Sequence, residues 1–200
     1  MRHIIKRVVD IVLSLSGILF FLPVFALVSL LIVLDSKGSI FYTQARVGIN
    51  KQDFLIFKFR TMYPFSEKLG LLTIGENDRR ITKVGFWLRR YKIDELPQLF
   101  NVLIGNMSIV GPRPEVRKYV ELYDNEQLRV LTMKPGITDW ASIAYSRENE
   151  VLAGAKDPEK FYIQDVMPRK LAYNLTYVNK NSVWKDALII LITIKKIIFN

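Results

Sequence analysis

The chain of 200 residues has no cysteine, which excludes a disulfide framework, a cysteine-ligated metal and a thiol nucleophile. Histidine is almost as scarce. His3 is the only one, and it sits in a basic leader beside an apolar run, a poor place for a general base and a natural one for a headgroup neighbour. Chemistry therefore falls to carboxylates, lysines, arginines or hydroxyls. Acidic residues are outnumbered as well, 19 against 29 Lys plus Arg, for a formal charge of +10. With 50% of the residues apolar, this balance suits an anionic membrane surface or phosphorylated ligands better than nucleic acid. The aromatic residues fall in apolar patterns and the basic ones gather around one apolar run and one acidic pair, which points the same way.

Long apolar runs are missing except for Ile11 to Leu34, which has no charge in about 24 positions. A straight helix of that length could just span a bilayer. Two features favour a helix that enters and leaves by one leaflet. Pro23 lies near the middle and kinks a helix. Basic residues flank both ends, Arg2, Lys6 and Arg7 before and Lys37 and Arg46 after, and both flanks prefer the cytoplasm. A second apolar segment, Val183 to Phe199, is interrupted by Lys185, Asp186, Lys195 and Lys196 and is too short to span. It is expected to be a helix on the core or on the membrane face.

Between these segments the period shortens. Ile40 to Val47 and Phe54 to Arg60 are β-rich runs around a turn-prone Gly48 to Asp53, which predicts a hairpin. Strand alternation places Lys58 and Arg60 side by side on one face. Tyr63 to Asp78 reads as a surface loop. Ile81 to Tyr91 sets Phe86 and Trp87 among basic residues, as an interfacial helix does, and a core-packing helix with a charged outer face fits nearly as well. Glu115 to Met133 is charged and helical in pattern.

The densest stretch runs from Tyr91 to Pro114. Asp94 and Glu95 precede a helical pattern with apolar residues at Ile93, Leu96, Leu99, Phe100 and Leu103, and with Asp94, Gln98 and Asn101 on the opposite face. Pro97 is tolerated only in a first turn, so the helix is expected to begin at about Asp94 as N-cap, with Gly105 closing it. The acidic pair then shares the positive end of the helix with unpaired N–H groups, a natural docking point for phosphate. Beyond it, Gly111-Pro112-Arg113-Pro114 stiffens the backbone around one arginine, a bidentate phosphate clamp. Taken singly, an Asp-Glu pair at a helix start is ordinary capping and Pro-Arg-Pro an ordinary turn; their conjunction is what singles them out.

Asp-Glu-Leu-Pro-Gln-Leu-Phe-Asn-Val-Leu followed by Gly-Asn-Met-Ser-Ile-Val-Gly-Pro-Arg-Pro resembles the signature of the bacterial sugar transferases, the monotopic phosphoglycosyl transferases. Gln-Ala-Arg-Val-Gly, Lys-Phe-Arg-Thr-Met and Lys-Pro-Gly-Ile-Thr extend the likeness, which is strongest from Phe41 to Thr138. The resemblance implies a re-entrant membrane helix over residues 1–36, broken here at Leu22-Pro23 rather than at a Ser-Pro pair, and a catalytic domain over residues 37–200 on the cytoplasmic face of a bacterial inner membrane. It implies transfer of a sugar 1-phosphate from a UDP-sugar to undecaprenyl phosphate with release of UMP, an early membrane step of glycoconjugate synthesis. Asp94 is then the nucleophile that carries the phosphosugar, Glu95 a magnesium ligand with Asp94 beside it, and Arg113 a phosphate clamp. Lys58, Arg60 and Arg89 fall near phosphates, and Arg147 in the region that meets the nucleotide-sugar. With neither cysteine nor a usable histidine, an aspartyl nucleophile is chemically reasonable, and Mg2+ is the expected helper for joining anionic groups.

The expected fold is α+β, mostly helical with a small antiparallel hairpin, and it resembles the minimal members of the family. The implied partners are the UDP-sugar, the polyprenyl phosphate and inner-membrane lipids, without nucleic acid; a homodimer stays open. So does a second class of function, a non-catalytic membrane-surface scaffold of a glycan assembly complex, which would have no need of Asp94, Glu95 and Arg113 together.

Overall fold

The computed structural model describes residues 2–66, 72, 75 and 78–199. The side chains of Arg2 and His3 lie outside that description, and with them the headgroup role expected of His3. So does most of the loop expected over Tyr63 to Asp78.

The chain opens with a 34-residue helix, Arg2–Asp35 (α1), that contains Pro23. Its inward stripe is Asp10, Ser14, Ile18, Phe25, Val28 and Ile32, all buried. That spacing of three and four keeps one face of a helix against a neighbour. The remaining faces are apolar and exposed, among them Val12, Leu19, Phe20, Leu22, Leu27, Leu30 and Leu34. The helix is long and apolar enough to cross a membrane.

The predicted hairpin forms from Phe41–Val47 (β1) and Asp53–Phe59 (β2), antiparallel with Phe41 opposite Phe59 and Val47 opposite Asp53. Next comes a helix, Lys83–Arg90 (α2), whose N-cap Thr82 accepts from Gly85 N. Asp35, at the end of α1, accepts from Val84 N in its first turn at 3.0 Å. Trp87 is exposed and stacks on Tyr91, with the Arg90 guanidinium 5.7 Å from its ring.

The helix expected from Asp94 begins later. Lys92 adopts the left-handed region, Ile93–Glu95 make a 3-10 turn, and the regular helix is Gln98–Ile104 (α3), with Pro97 just before it and Gly105 closing it at φ 99°. Both of its faces are covered. Gln98 and Asn101, polar by pattern, are buried, while Phe100 is partly exposed. Asn101 Oδ1 accepts from Phe57 N and its Nδ2 donates to Leu55 O, which satisfies the backbone of β2 from inside the protein. The apolar face meets α1, where Phe100 lies edge-on to Phe25.

Ser108–Val110 (β3) and Gly136–Thr138 (β4) then form a parallel two-stranded ladder that the sequence pattern did not announce. Glu115 to Met133, expected as one helix, is a short helix, Arg117–Val120 (α4), followed by a 3-10 segment, Gln127–Thr132. The C-terminal part is helical: Trp140–Ala144 (α5), Glu148–Ala153 (α6), Pro158–Phe161 (α7), Met167–Lys180 (α8) and Val183–Ile198 (α9). Tyr119, Leu152, Tyr162, Val166, Met167 and Leu171 form the core there. Ile189 anchors α9, while Trp184, Leu191, Ile198 and Phe199 remain exposed.

The ladder sets where Arg113 leaves the sheet. Gly136 N donates to Pro112 O at 3.0 Å and Gly111 N to Thr138 O at 3.1 Å. A Cβ on Gly136 would stand 2.1 Å from Gly111 N and 2.5 Å from Gly111 O, contacts with backbone that no rotamer change relieves. Gly136→Ala is therefore expected to cost about 3 kcal/mol and to lower the thermal midpoint in detergent by roughly 10 °C. An unchanged midpoint would show that the strands can part without loss.

Candidate active site

Three separate segments converge on the acidic pair. The left-handed turn at Lys92 ends α2 and swings Asp94 and Glu95 inward, so that Asp94 is only 7% exposed. From β2, Lys58 Nζ donates to Glu95 Oε1 at 3.0 Å. From the turn after β3, Arg113 Nη1 donates to Glu95 Oε2 at 3.0 Å and its Nη2 donates to Oε1, a two-point clamp. Glu95 thus holds two cations in register. Asp94 has no such duty: its Oδ1 is enclosed without a hydrogen-bond partner among the described residues.

The protonation of the pair follows from this asymmetry. Burial pushes the Asp94 carboxyl above its ordinary value, against the pull of the Lys58 charge and with a further push from Glu95. For Glu95, burial also pushes upward, but the Arg113 and Lys58 charges outweigh it and hold the carboxyl well below the usual range. Burial lowers Lys58, and the Glu95 charge raises Arg113. Two adjacent carboxyls driven apart in pKa have distinct tasks. Glu95 is a fixed anion, and Asp94 is a more basic carboxylate with a free oxygen.

Arg113 is held from behind as well. Its backbone N–H donates to Asp139 Oδ2 at 3.1 Å, and the other oxygen of this fully buried carboxylate accepts from Ser142 N at 2.6 Å. The resemblance places the stretch Asp139 to Ile143, with Arg147, in the region that meets the nucleotide-sugar, but gives Asp139 no role of its own; the available sign was its position as N-cap just ahead of the apolar start of α5. A second unforeseen network lies alongside. Glu115 accepts from Arg46 at 3.1 Å and from the Tyr162 hydroxyl, while Lys170 pairs with Glu148 at 2.7 Å and lies 5.3 Å from the Tyr162 ring.

These residues line one cleft of about 770 Å3, ample for a ligand of several rings. Among the described residues, nine basic side chains line it against five acidic ones, so they favour an anionic occupant. Of the residues expected at the site, Asp94, Glu95, Lys58, Arg89 and Arg113 are brought together there. Arg147 stands at the outer rim, largely exposed and 3.9 Å from Glu150. Arg60 points elsewhere. β2 ends at Phe59, and the buried Arg60 guanidinium donates to Lys37 O at 2.5 Å, Ser36 O at 2.7 Å and Ile32 O at 3.4 Å. It caps the C-terminal carbonyls of α1, as a cation at that end of a helix should. The face shared with Lys58, inferred from strand alternation, stops where the strand stops. Pro23 lies inside α1 and is not among the described residues that line the cleft. Among the described residues no group of three or more His, Cys, Asp or Glu could form a protein-only metal cage.

Over residues 1–200 the chain matches the family described as bacterial sugar transferase. It is 37% identical, over 97% of its length, to the UDP-N-acetylgalactosamine-undecaprenyl-phosphate N-acetylgalactosaminephosphotransferase of Aeromonas hydrophila, covering 44% of that protein. It is 36% identical over 98% of its length to the UDP-glucose:undecaprenyl-phosphate glucose-1-phosphate transferase of Escherichia coli, covering 40% of it. The exopolysaccharide production protein ExoY of Rhizobium meliloti is 33% identical over 94% of the chain, which covers 83% of that shorter relative. The chain therefore spans less than half the length of the first two relatives. The match over its full length, with the convergence of Asp94, Glu95 and Arg113, is enough for the conclusion that this chain belongs to the bacterial sugar transferase family.

Proposed function

We propose that the chain moves a sugar 1-phosphate from a UDP-sugar to undecaprenyl phosphate, releasing UMP, through a phosphosugar held on Asp94. The observation that carries this reading is the contrast between the two carboxylates: Asp94, raised and with an unpartnered oxygen, beside Glu95, which holds Lys58 and Arg113 in place. In the first half-reaction an Asp94 oxygen bonds to the β-phosphorus, the bond from that phosphorus to the oxygen bridging the two phosphates breaks, and UMP leaves with the electron pair. In the second, a phosphate oxygen of the lipid attacks the same phosphorus and Asp94 regains its carboxylate. One phosphate site serves both substrates in turn. Arg113 and Lys58 supply positive charge where the transferred group gathers negative charge, and Arg89 and Arg147 receive the rest of the donor along the cleft.

The carboxylate pair fits a magnesium ion. Among the described residues Asp94 keeps one oxygen without a hydrogen bond and Glu95 Oε2 accepts from Arg113 alone, which suits an ion that takes its other ligands from phosphate and water. When bound, such an ion neutralises phosphate charge.

The re-entrant reading of the membrane arrangement draws its support from where α1 is tied. Near its start, Arg7 donates to Val102 O and Leu103 O, and Asp10 accepts from Ser108 Oγ and Ile109 N. At its end, Asp35 caps α2. Both ends thus belong to one domain. Moreover α3, about 10 Å long, meets α1 at Arg7 and again at Phe25, residues about 27 Å apart along a straight helix. This supports a helix that bends near Pro23, dips its apolar faces into the bilayer and returns to the cytoplasmic leaflet. The exposed apolar residues of α9 and the Trp87–Tyr91 pair suit the adjoining headgroup layer.

The test is UMP formation by the detergent-solubilised chain from a panel of UDP-sugars with magnesium and undecaprenyl phosphate. Release with at least one donor, dependent on the lipid for multiple turnovers, is expected. No UMP from any donor would favour the scaffold reading.

A further inference from the structure

The cleft has a second wall, built differently from the cationic end around Asp94. Asn174 on α8 is 5% exposed and sits in the helix's buried stripe with Met167, Leu171 and Tyr177, yet among the described residues its Oδ1 has no hydrogen-bond partner. On α5, which packs against α8, the Ser142 hydroxyl is enclosed and equally unpartnered. Both residues line the cleft. An unmet buried polar group costs about 1–3 kcal/mol, and a pair of them in one wall is a cost that a bound ligand can recover.

This wall adjoins the phosphate clamp. The Asp139 carboxylate joins Arg113 N, at 3.1 Å, to Ser142 N, at 2.6 Å, so the backbones that carry the clamp and this wall are held on one buried carboxylate, and both residues line the same cleft. The charges nearby are already engaged: Lys170 with Glu148, and Lys196 with Ile143 O. What the wall offers is neutral hydrogen bonding.

We propose that Ser142 and Asn174 form the subsite for the uncharged end of the donor, a group bearing hydroxyl or amide functions. Two parts of a UDP-sugar carry that chemistry, the sugar ring with its hydroxyl or acetamido groups and the uracil with its imide. The inference rests on the donor reading given above.

The experiment measures affinity of the full chain in detergent, with magnesium, for UDP and for a panel of UDP-sugars, comparing wild type with Asn174→Leu and Ser142→Ala. Leucine keeps the branched shape of asparagine and removes the unmet polar atom, so the variant should remain folded, with a thermal midpoint close to that of wild type; if it does not fold, Ser142→Ala decides alone. A loss of about tenfold or more for UDP-sugars with UDP unchanged assigns the wall to the sugar, and an equal loss for both assigns it to the base. Unchanged affinities in folded variants overturn the subsite. A wild type that binds none of these compounds would instead overturn the donor reading, and the subsite with it.

Discussion

Asp94→Asn is expected to lower turnover by at least about 10^4-fold, on the scale of nucleophile removal elsewhere, while the protein stays folded and becomes no less stable at neutral pH. The activity half follows from the single attacking oxygen, which an amide cannot replace. The stability half follows from burial. The folded pKa of Asp94 is raised, so at pH values above it the ionised group is a net penalty to the fold; that penalty fades as pH falls through the raised value toward the ordinary carboxylate value of about 3.9. Asparagine removes the penalty. The thermal midpoint of the variant should therefore equal or exceed that of wild type at pH 7 to 8, with the gap closing toward pH 4. Wild-type turnover should fall as pH is lowered through the raised Asp94 value. A variant with substantial residual turnover would demote Asp94 to a metal ligand or base.

Removing the neighbouring carboxylate should do the opposite to stability. Glu95→Ala leaves Lys58 and Arg113 facing each other without the anion that pairs both, and breaking such a buried set costs about 3 kcal/mol, the low end of the range because a third of the Arg113 side chain is exposed. Here the linkage has the other sign. Glu95 is depressed, so its contribution is fully present above the ordinary value of about 4.3 and is lost as pH falls toward its folded value. Wild type and Glu95→Ala should thus converge in stability only in strong acid. The vacated cations should also bind inorganic phosphate, which would raise the thermal midpoint of Glu95→Ala more than that of wild type. Equal response to phosphate in the two proteins would mean that Glu95 does not hold the cations for an anion.

These two carboxylates were visible in the chain itself and the resemblance gave them different roles, whereas the grip of Glu95 on two cations was not legible. Adjacency marked Asp94 and Glu95, and the rigid prolines marked Arg113; which acid the arginine would grip depends on the left-handed turn at Lys92 and on a strand more than thirty residues upstream. The hairpin was legible within a residue because its two β-rich runs flank a turn-prone patch. So was α9, bounded by Ser182 as cap and by the end of the apolar pattern. Amphipathic reasoning failed on α3. It separates the two faces without showing that both are covered: β2 brings unsatisfied backbone groups to Asn101, and α1 covers the apolar side. Arg60 was misplaced for a similar reason: periodicity describes a strand while it lasts, and the carbonyls at the end of α1 claim the residue just beyond it. Parallel pairing of β3 with β4 involves two three-residue strands with 25 residues between them, too short for any period to register.

The central claim is that Asp94 carries the phosphosugar, and the measurement that meets it most directly is the intact mass of the protein after incubation with magnesium and UDP-sugars in the absence of any lipid acceptor. The predicted result is a mass gain of one phosphosugar with at least one donor, absent in Asp94→Asn and discharged when undecaprenyl phosphate is added. Product formation with the lipid but no adduct without it would contradict the claim, and would mean direct transfer between the two substrates bound together.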